Sequence, residues 1–209
     1  VELCDERGIH LFSDEVYRGL ELPPVSPLAQ AADLSDKALS LNVMSKAYGL
    51  PGLRIGWIAC RDSTVLNRLE RAKHYTSICN SAPSEVLALI ALRASEQILG
   101  RNRGIVAENS SAFDTFFARY PELFEWQRPQ GGCVAFPRYL GDDGVEVMCT
   151  DLVEQEGVLL LPASIYRSAL NPTPVDRFRV GVGRQGSQQA LDRWASWLDQ
   201  RSVSAGLSS

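Results

Sequence analysis

The residues best equipped for chemistry fall in two short phrases. In SKAYGLPGLRIGW (45–57), a lysine ends an apolar run, a Gly-Leu-Pro-Gly loop follows, and an arginine stands eight residues on from the lysine. Lys46, at the end of a predicted buried strand, can serve as an amine nucleophile if desolvation disfavours its charged form. Arg54 carries the planar fork of donors that clamps a phosphate. The intervening glycines let the backbone turn tightly and approach a ligand. The alternative is a surface lysine beside a turn. In SDEVYRGL (13–20), a strand ends in Asp14, with Tyr17 three residues later. Ligands of α/β sheets sit beyond the carboxyl ends of strands. A carboxylate there can pair with a protonated ring nitrogen, and the phenol can reach a ring oxygen. The alternative makes Asp14 a turn cap and Tyr17 a packing residue.

The elements that must position these phrases can be read from the apolar pattern. IHLFS, ALSLNV and RIGWIAC are short apolar runs and predict strands, while ELPPVSPLAQ is loop. Asp62 is placed to cap a helix over VLNRLERAKHY, and Pro83 opens another over PSEVLALIALRASEQIL. That second helix is apolar nearly all round, so it should be well buried. A long helix over 101–120 follows. Then come two antiparallel strands, FEWQ and CVAFPRY, a helix ending on Gly157, the strands VLLLP and RFRVGVG, and a last helix from Ser187. In that helix Leu191, Trp194, Ala195 and Leu198 form one apolar stripe. Strands lying between helices predict a parallel α/β sheet over 1–105, a smaller α+β domain over 106–201, and a disordered tail over 202–209.

Composition narrows the function classes. The 209 residues carry 45% hydrophobic side chains and a net charge of −4, which argues against nucleic-acid binding through a basic field. No apolar run approaches the roughly 20 residues of a transmembrane helix, so no membrane partner is expected. Five widely spaced cysteines with no CxxC pair, and no secretory signal, favour reduced thiols and a cytoplasmic location. Two distant histidines give no metal site.

Taken together, SDEVYRGL and SKAYGLPGLRIGW resemble the fold-type I pyridoxal-phosphate enzymes, and among them the class I/II aminotransferases. GGCVAFPRY, LLLPASIYR and FRVGVGR resemble that family's C-terminal domain in the expected order. The resemblance implies an α/β fold: part of the large domain of a PLP-dependent transferase, with a mostly parallel sheet, plus a small C-terminal α+β domain. It implies that Lys46 forms a Schiff base with pyridoxal 5'-phosphate and then serves as the general base. Asp14 would keep the pyridine nitrogen protonated, Tyr17 would bond the ring oxygen, and Ser45 and Arg54 would bind the phosphate. Arg179 would grip the substrate α-carboxylate, whereas Arg184 is as well read as a surface charge. The family often carries Ser or Thr three residues before the lysine, where this chain has Val43.

The implied activity is amine exchange between an amino acid and a 2-oxo acid, with a homodimer expected by analogy. Members of the family are much longer than this chain. The expectation is therefore a C-terminal half or a truncated gene product that is inactive alone. Three alternatives stay open: a PLP-dependent lyase or synthase of the same fold, the aminotransferase-like sensor domain of a transcription regulator, and a fragment with no function of its own.

Overall fold

The structure is a computed structural model that describes residues 1–206. The chain forms two compact units. The first is Val1–Gly104 with Gln130–Gly132, and the second is Ile105–Pro129 with the chain from Cys133 onward.

The first unit holds α1 (Glu2–Glu6), β1 (Leu11–Asp14), α2 (Ala31–Leu34), β2 (Ala38–Val43), a 3-10 turn at Pro51–Leu53, β3 (Gly56–Cys60), α3 (Ser63–Thr76), α4 (Ala82–Arg93) and the start of α5 (Ser95–Arg119). The sheet order is β1-β2-β3. β1 and β2 are parallel, with Leu11 opposite Ala38 and Asp14 opposite Leu41. β2 and β3 are antiparallel, with Val43 opposite Gly56. The parallel alternation expected over this region is therefore confined to β1–β2, and the sheet is mixed. The reason lies between β2 and β3, where tight turns and a 3-10 turn take the place of a crossover helix, so the chain returns alongside the strand it left.

β2 is the central strand, and Ala38, Leu39, Ser40 and Asn42 are buried along it. Asp62 caps α3 as its position predicts. Its Oδ1 accepts from the Thr64 amide at 2.8 Å and the Val65 amide at 3.3 Å, and these bonds hold its carboxyl below the usual range.

The helix expected from Pro83 divides at Ala94, where Ser95 Oγ donates to the Leu92 carbonyl at 2.6 Å. Nor is it well buried. Only Ala88 and Ala91 of α4 reach the core, against Met44, Leu50, Leu53 and Ile55. Val86, Leu87, Leu89, Ile90 and Leu92 remain exposed. The lysine loop offers α4 one narrow stripe of partners, too little to cover a helix that is apolar all round. Phe12 on β1 and Trp57 on β3 are likewise exposed, at 54% and 37%.

The second unit continues α5 and adds β4 (Phe124–Glu125), β5 (Val134–Ala135), β6 (Arg138–Tyr139), α6 (Val145–Glu156), β7 (Leu161–Pro162), β8 (Phe178–Gly181) and α7 (Ser187–Gly206). The hairpin expected between FEWQ and CVAFPRY is split in two. β4 pairs with β6, while β5 joins the sheet β5-β8-β7. Pro137 lies between the two halves and has no N–H to donate, and its carbonyl accepts from the Phe178 amide at 3.1 Å. The core is aromatic: the Phe116 ring lies tilted against Trp194 with centroids 4.4 Å apart, and Phe117, Phe124 and Phe178 close around the same indole. Leu191, Trp194 and Leu198 are the buried stripe of α7. The tail expected over 202–209 overlaps the end of α7, and residues 207–209 lie outside the described residues.

Two predictions follow from this packing. A Cβ at Gly56 would lie 2.8 Å from Val43 Cγ1 and 2.9 Å from the Asn42 carbonyl, where backbone cannot yield. Gly56→Ala should therefore destabilise the chain by about 1–3 kcal/mol, read as a lower urea midpoint. In the second unit, burial pushes the Cys149 thiol from 9.0 up to about 12. Burial and a hydrogen bond to Asp199 likewise push the Tyr120 hydroxyl from 10.0 up to about 12. Both groups are neutral below their unfolded values, so their stabilisation is complete there and is lost as pH rises through 9 to 12. Urea midpoints should fall across that window, and exposed Cys79 should alkylate well before buried Cys149.

Candidate active site

The two chemical phrases meet within the first unit. Asp14 is the last residue of β1 and is exposed. Its Oδ1 accepts from the Val16 amide at 3.2 Å, so it caps the turn while remaining open to solvent. Tyr17 is half-buried and packs beside Gly132, where a Cβ would make ordinary contact with its Cγ at 3.7 Å. Gly132 also adopts φ +81°, a conformation that favours glycine.

β2 ends at Val43 and launches the lysine loop. The Met44 amide donates to the Ile55 carbonyl, and the Leu50 amide to the Met44 carbonyl, both at 2.9 Å. These bonds close residues 44–55 into a compact loop. Within it the Gly49 amide donates to the Lys46 carbonyl at 2.9 Å. Ala47 is fixed on both sides: its amide donates to the Val16 carbonyl at 3.3 Å, and its carbonyl accepts from Asn102 Nδ2 at 2.8 Å. The first bond ties the lysine loop to the segment between Asp14 and Tyr17. Tyr48 Oη shares a hydrogen bond with Ser95 Oγ at 2.9 Å.

Arg54 adopts left-handed backbone geometry, φ 56° and ψ 35°. Its Nη1 donates to the Pro51 carbonyl at 3.1 Å and to Ser45 Oγ at 3.4 Å. A guanidinium fork and a hydroxyl are thus gathered beside Lys46, a donor pair suited to an anion. Lys46 itself is exposed, so the described residues do not supply the desolvation expected to activate its amine.

Arg179 belongs to the second unit, on β8, where it is half-buried. Its Nη1 donates to Tyr166 Oη at 3.1 Å, and the Tyr166 ring meets Phe136 edge-on at 6.2 Å. β8 ends at Gly181, so strand alternation does not extend to Arg184, which is exposed. The Arg184 and Val182 carbonyls accept from Asn109 Nδ2 at 2.7 and 2.8 Å.

The sequence reading missed two asparagines, Asn102 and Asn109. They stand seven apart on α5, hence on one helical face, and a pair of amides at that spacing was the available signal. Among the described residues, no group of three His, Cys, Asp or Glu side chains could hold a metal. No helix among them is long and apolar enough to cross a membrane.

Known proteins resemble this arrangement over most of the chain. Capreomycidine synthase from Streptomyces vinaceus is 30% identical over 155 residues, covering 74% of this chain and 38% of that protein. The crystal structure of a PLP-dependent aminotransferase from Streptococcus suis superposes with a TM-score of 0.82 at 31% identity, covering 96% of this chain and 50% of that one. The PLP-dependent cyclase OrfR superposes equally well, at 0.82 with 25% identity, over 96% of this chain and 53% of its own. The chain thus spans about half the length of the relatives it matches. The family described as aminotransferase class I and II matches residues 1–198, and with so much of the chain matched, it belongs to that family.

Proposed function

We propose that the chain carries the lysine-bearing part of a pyridoxal-phosphate-dependent aminotransferase, with Lys46 as the point of covalent attachment. The observation that carries this reading is the convergence of Asp14, Tyr17, Ser45, Lys46 and Arg54, joined through the Ala47–Val16 hydrogen bond. The donor set fits the group. A hydroxyl and a guanidinium fork suit a phosphate, a primary amine suits an aldehyde, and a carboxylate and a phenol suit a ring nitrogen and a ring oxygen.

In this reading Ser45 and Arg54 bind the phosphate and anchor the ring. Asp14 holds a proton on the pyridine nitrogen, and Tyr17 donates to the ring oxygen. The cofactor, when bound, supplies an electron sink for the charge left on the substrate α-carbon. Lys46 Nζ, freed when the substrate amine takes its place, would move the proton from that carbon to the cofactor, acting as general base and then general acid. Arg179 grips the α-carboxylate through its fork. The substrates are an amino acid and a 2-oxo acid, and the protein acts as a homodimer.

The test is covalent capture. Incubation with pyridoxal phosphate followed by borohydride reduction should place one stable adduct on the peptide containing Lys46, and Lys46→Ala should remove it. An adduct pattern that is the same in both chains sinks the reading. Arg54→Ala should weaken cofactor uptake about ten- to hundredfold, the loss expected for hydrogen bonds to a charged group.

A second reading, a synthase of the same fold, is favoured by the likeness to capreomycidine synthase and to the cyclase OrfR. The same lysine base serves both outcomes. Incubating the loaded protein with an amino acid alone separates them. Accumulation of pyridoxamine phosphate marks amine transfer, whereas a rearranged product that keeps its amine marks the synthase.

A further inference from the structure

Glu15 follows Asp14 directly, and its side chain goes the other way. The β1–β2 ladder continues one residue beyond the strand, since the Glu15 amide donates to the Leu41 carbonyl at 2.9 Å. Alternation therefore puts Leu11, Ser13 and Glu15 on one face and Phe12 and Asp14 on the other. On its own face Glu15 Oε1 accepts two hydrogen bonds, from the Ala31 amide at 2.9 Å and from Ser40 Oγ at 2.8 Å. Ser40 is fully buried, lies opposite Ser13 in the ladder, and accepts from the Ala32 amide at 3.0 Å. One carboxylate oxygen thus ties together the end of β1, the middle of β2 and the first turn of α2. The other, Oε2, is buried with no hydrogen-bond partner.

We propose that Glu15 is the positioning residue of the cofactor site. Its anchor fixes the strand end so that Asp14 faces away from α2 and the Val16 carbonyl stays in place for the Ala47 amide beside Lys46. The inference rests on the cofactor reading of Asp14 and Lys46. The anchor is a matter of acceptance: Oε1 of Glu15 receives both hydrogen bonds and Oε2 receives none. A glutamine there keeps the Oε1 acceptor and removes the charge.

The test compares wild type with Glu15→Ala, Glu15→Gln and Ser40→Ala. It reads pyridoxal phosphate affinity, the pH at which the bound cofactor's absorbance changes, and amide hydrogen exchange at Ala31 and Ala47. Glu15→Ala should weaken cofactor binding roughly tenfold or more, shift that pH, and speed exchange at both amides. Glu15→Gln, which keeps the Oε1 acceptor but puts an amide NH2 where Oε2 has no partner, should recover most of the loss in all three. Ser40→Ala, which leaves the Ala31 bond to Oε1 in place, should fall between the two, and it keeps the question open to measurement if Glu15→Ala does not fold. A general loss of stability lowers Tm without moving the absorbance pH. Wild-type behaviour in Glu15→Ala, or a glutamine variant as impaired as the alanine one, overturns the proposal. If wild type takes up no cofactor, the cofactor reading fails by itself. Exchange at Ala31 and Ala47 then decides the anchor: faster in the alanine variant and not in the glutamine variant upholds it, and any other pattern overturns it.

Discussion

The peptide on either side of Ala47 is the joint on which the first unit's chemistry depends. Its amide donates to the Val16 carbonyl and its carbonyl accepts from Asn102 Nδ2, while the residue itself is 2% exposed. A small buried residue with both backbone groups satisfied is a rigid point, since an unpaired backbone group there would be costly. Lys46 is the preceding residue; its carbonyl is held by the Gly49 amide and its side chain is exposed.

From this joint the constraint spreads in two directions. Through Val16 it reaches the end of β1 and so Asp14 and Tyr17. Through Met44 and Ile55 it reaches β3, where the contact of Gly56 with Val43 sets how closely the returning strand can lie. Arg54 sits inside this frame in left-handed geometry, stabilised by the Pro51 carbonyl. A non-glycine residue held there carries a small strain that its surroundings must support. The mixed sheet is thus a consequence of the loop: a segment folded tightly enough to gather Ser45 and Arg54 beside Lys46 leaves no room for a crossover helix.

Much of this was legible in the sequence, because the signals are local. Asp62 before a periodic run and Gly157 after one mark helix ends by their own hydrogen-bonding and dihedral preferences, and both do so in the structure. The compact loop of the lysine phrase was legible because its glycines and proline mark tight turns by themselves. What escaped depends on partners distant in sequence. Pro137 splits an expected hairpin because β8, some forty residues on, takes one half of it. α4 reads as a buried helix from its own composition, yet burial is decided by what lies against it. Asn102, Asn109 and Glu15 look like ordinary polar residues until the fold brings a carbonyl or an amide to them.

The hydrogen bond between Arg179 and Tyr166 has a consequence for binding energetics. A phenol oxygen is a neutral acceptor, so it orients the guanidinium without cancelling its charge, as a carboxylate in the same place would. An arginine held in this way has given up part of its rotamer freedom before any ligand arrives, and that entropy is not lost again on association. An incoming carboxylate would therefore meet a guanidinium that Tyr166 has already helped to aim. Tyr166 acts in this sense as a stop: it limits where the fork can point.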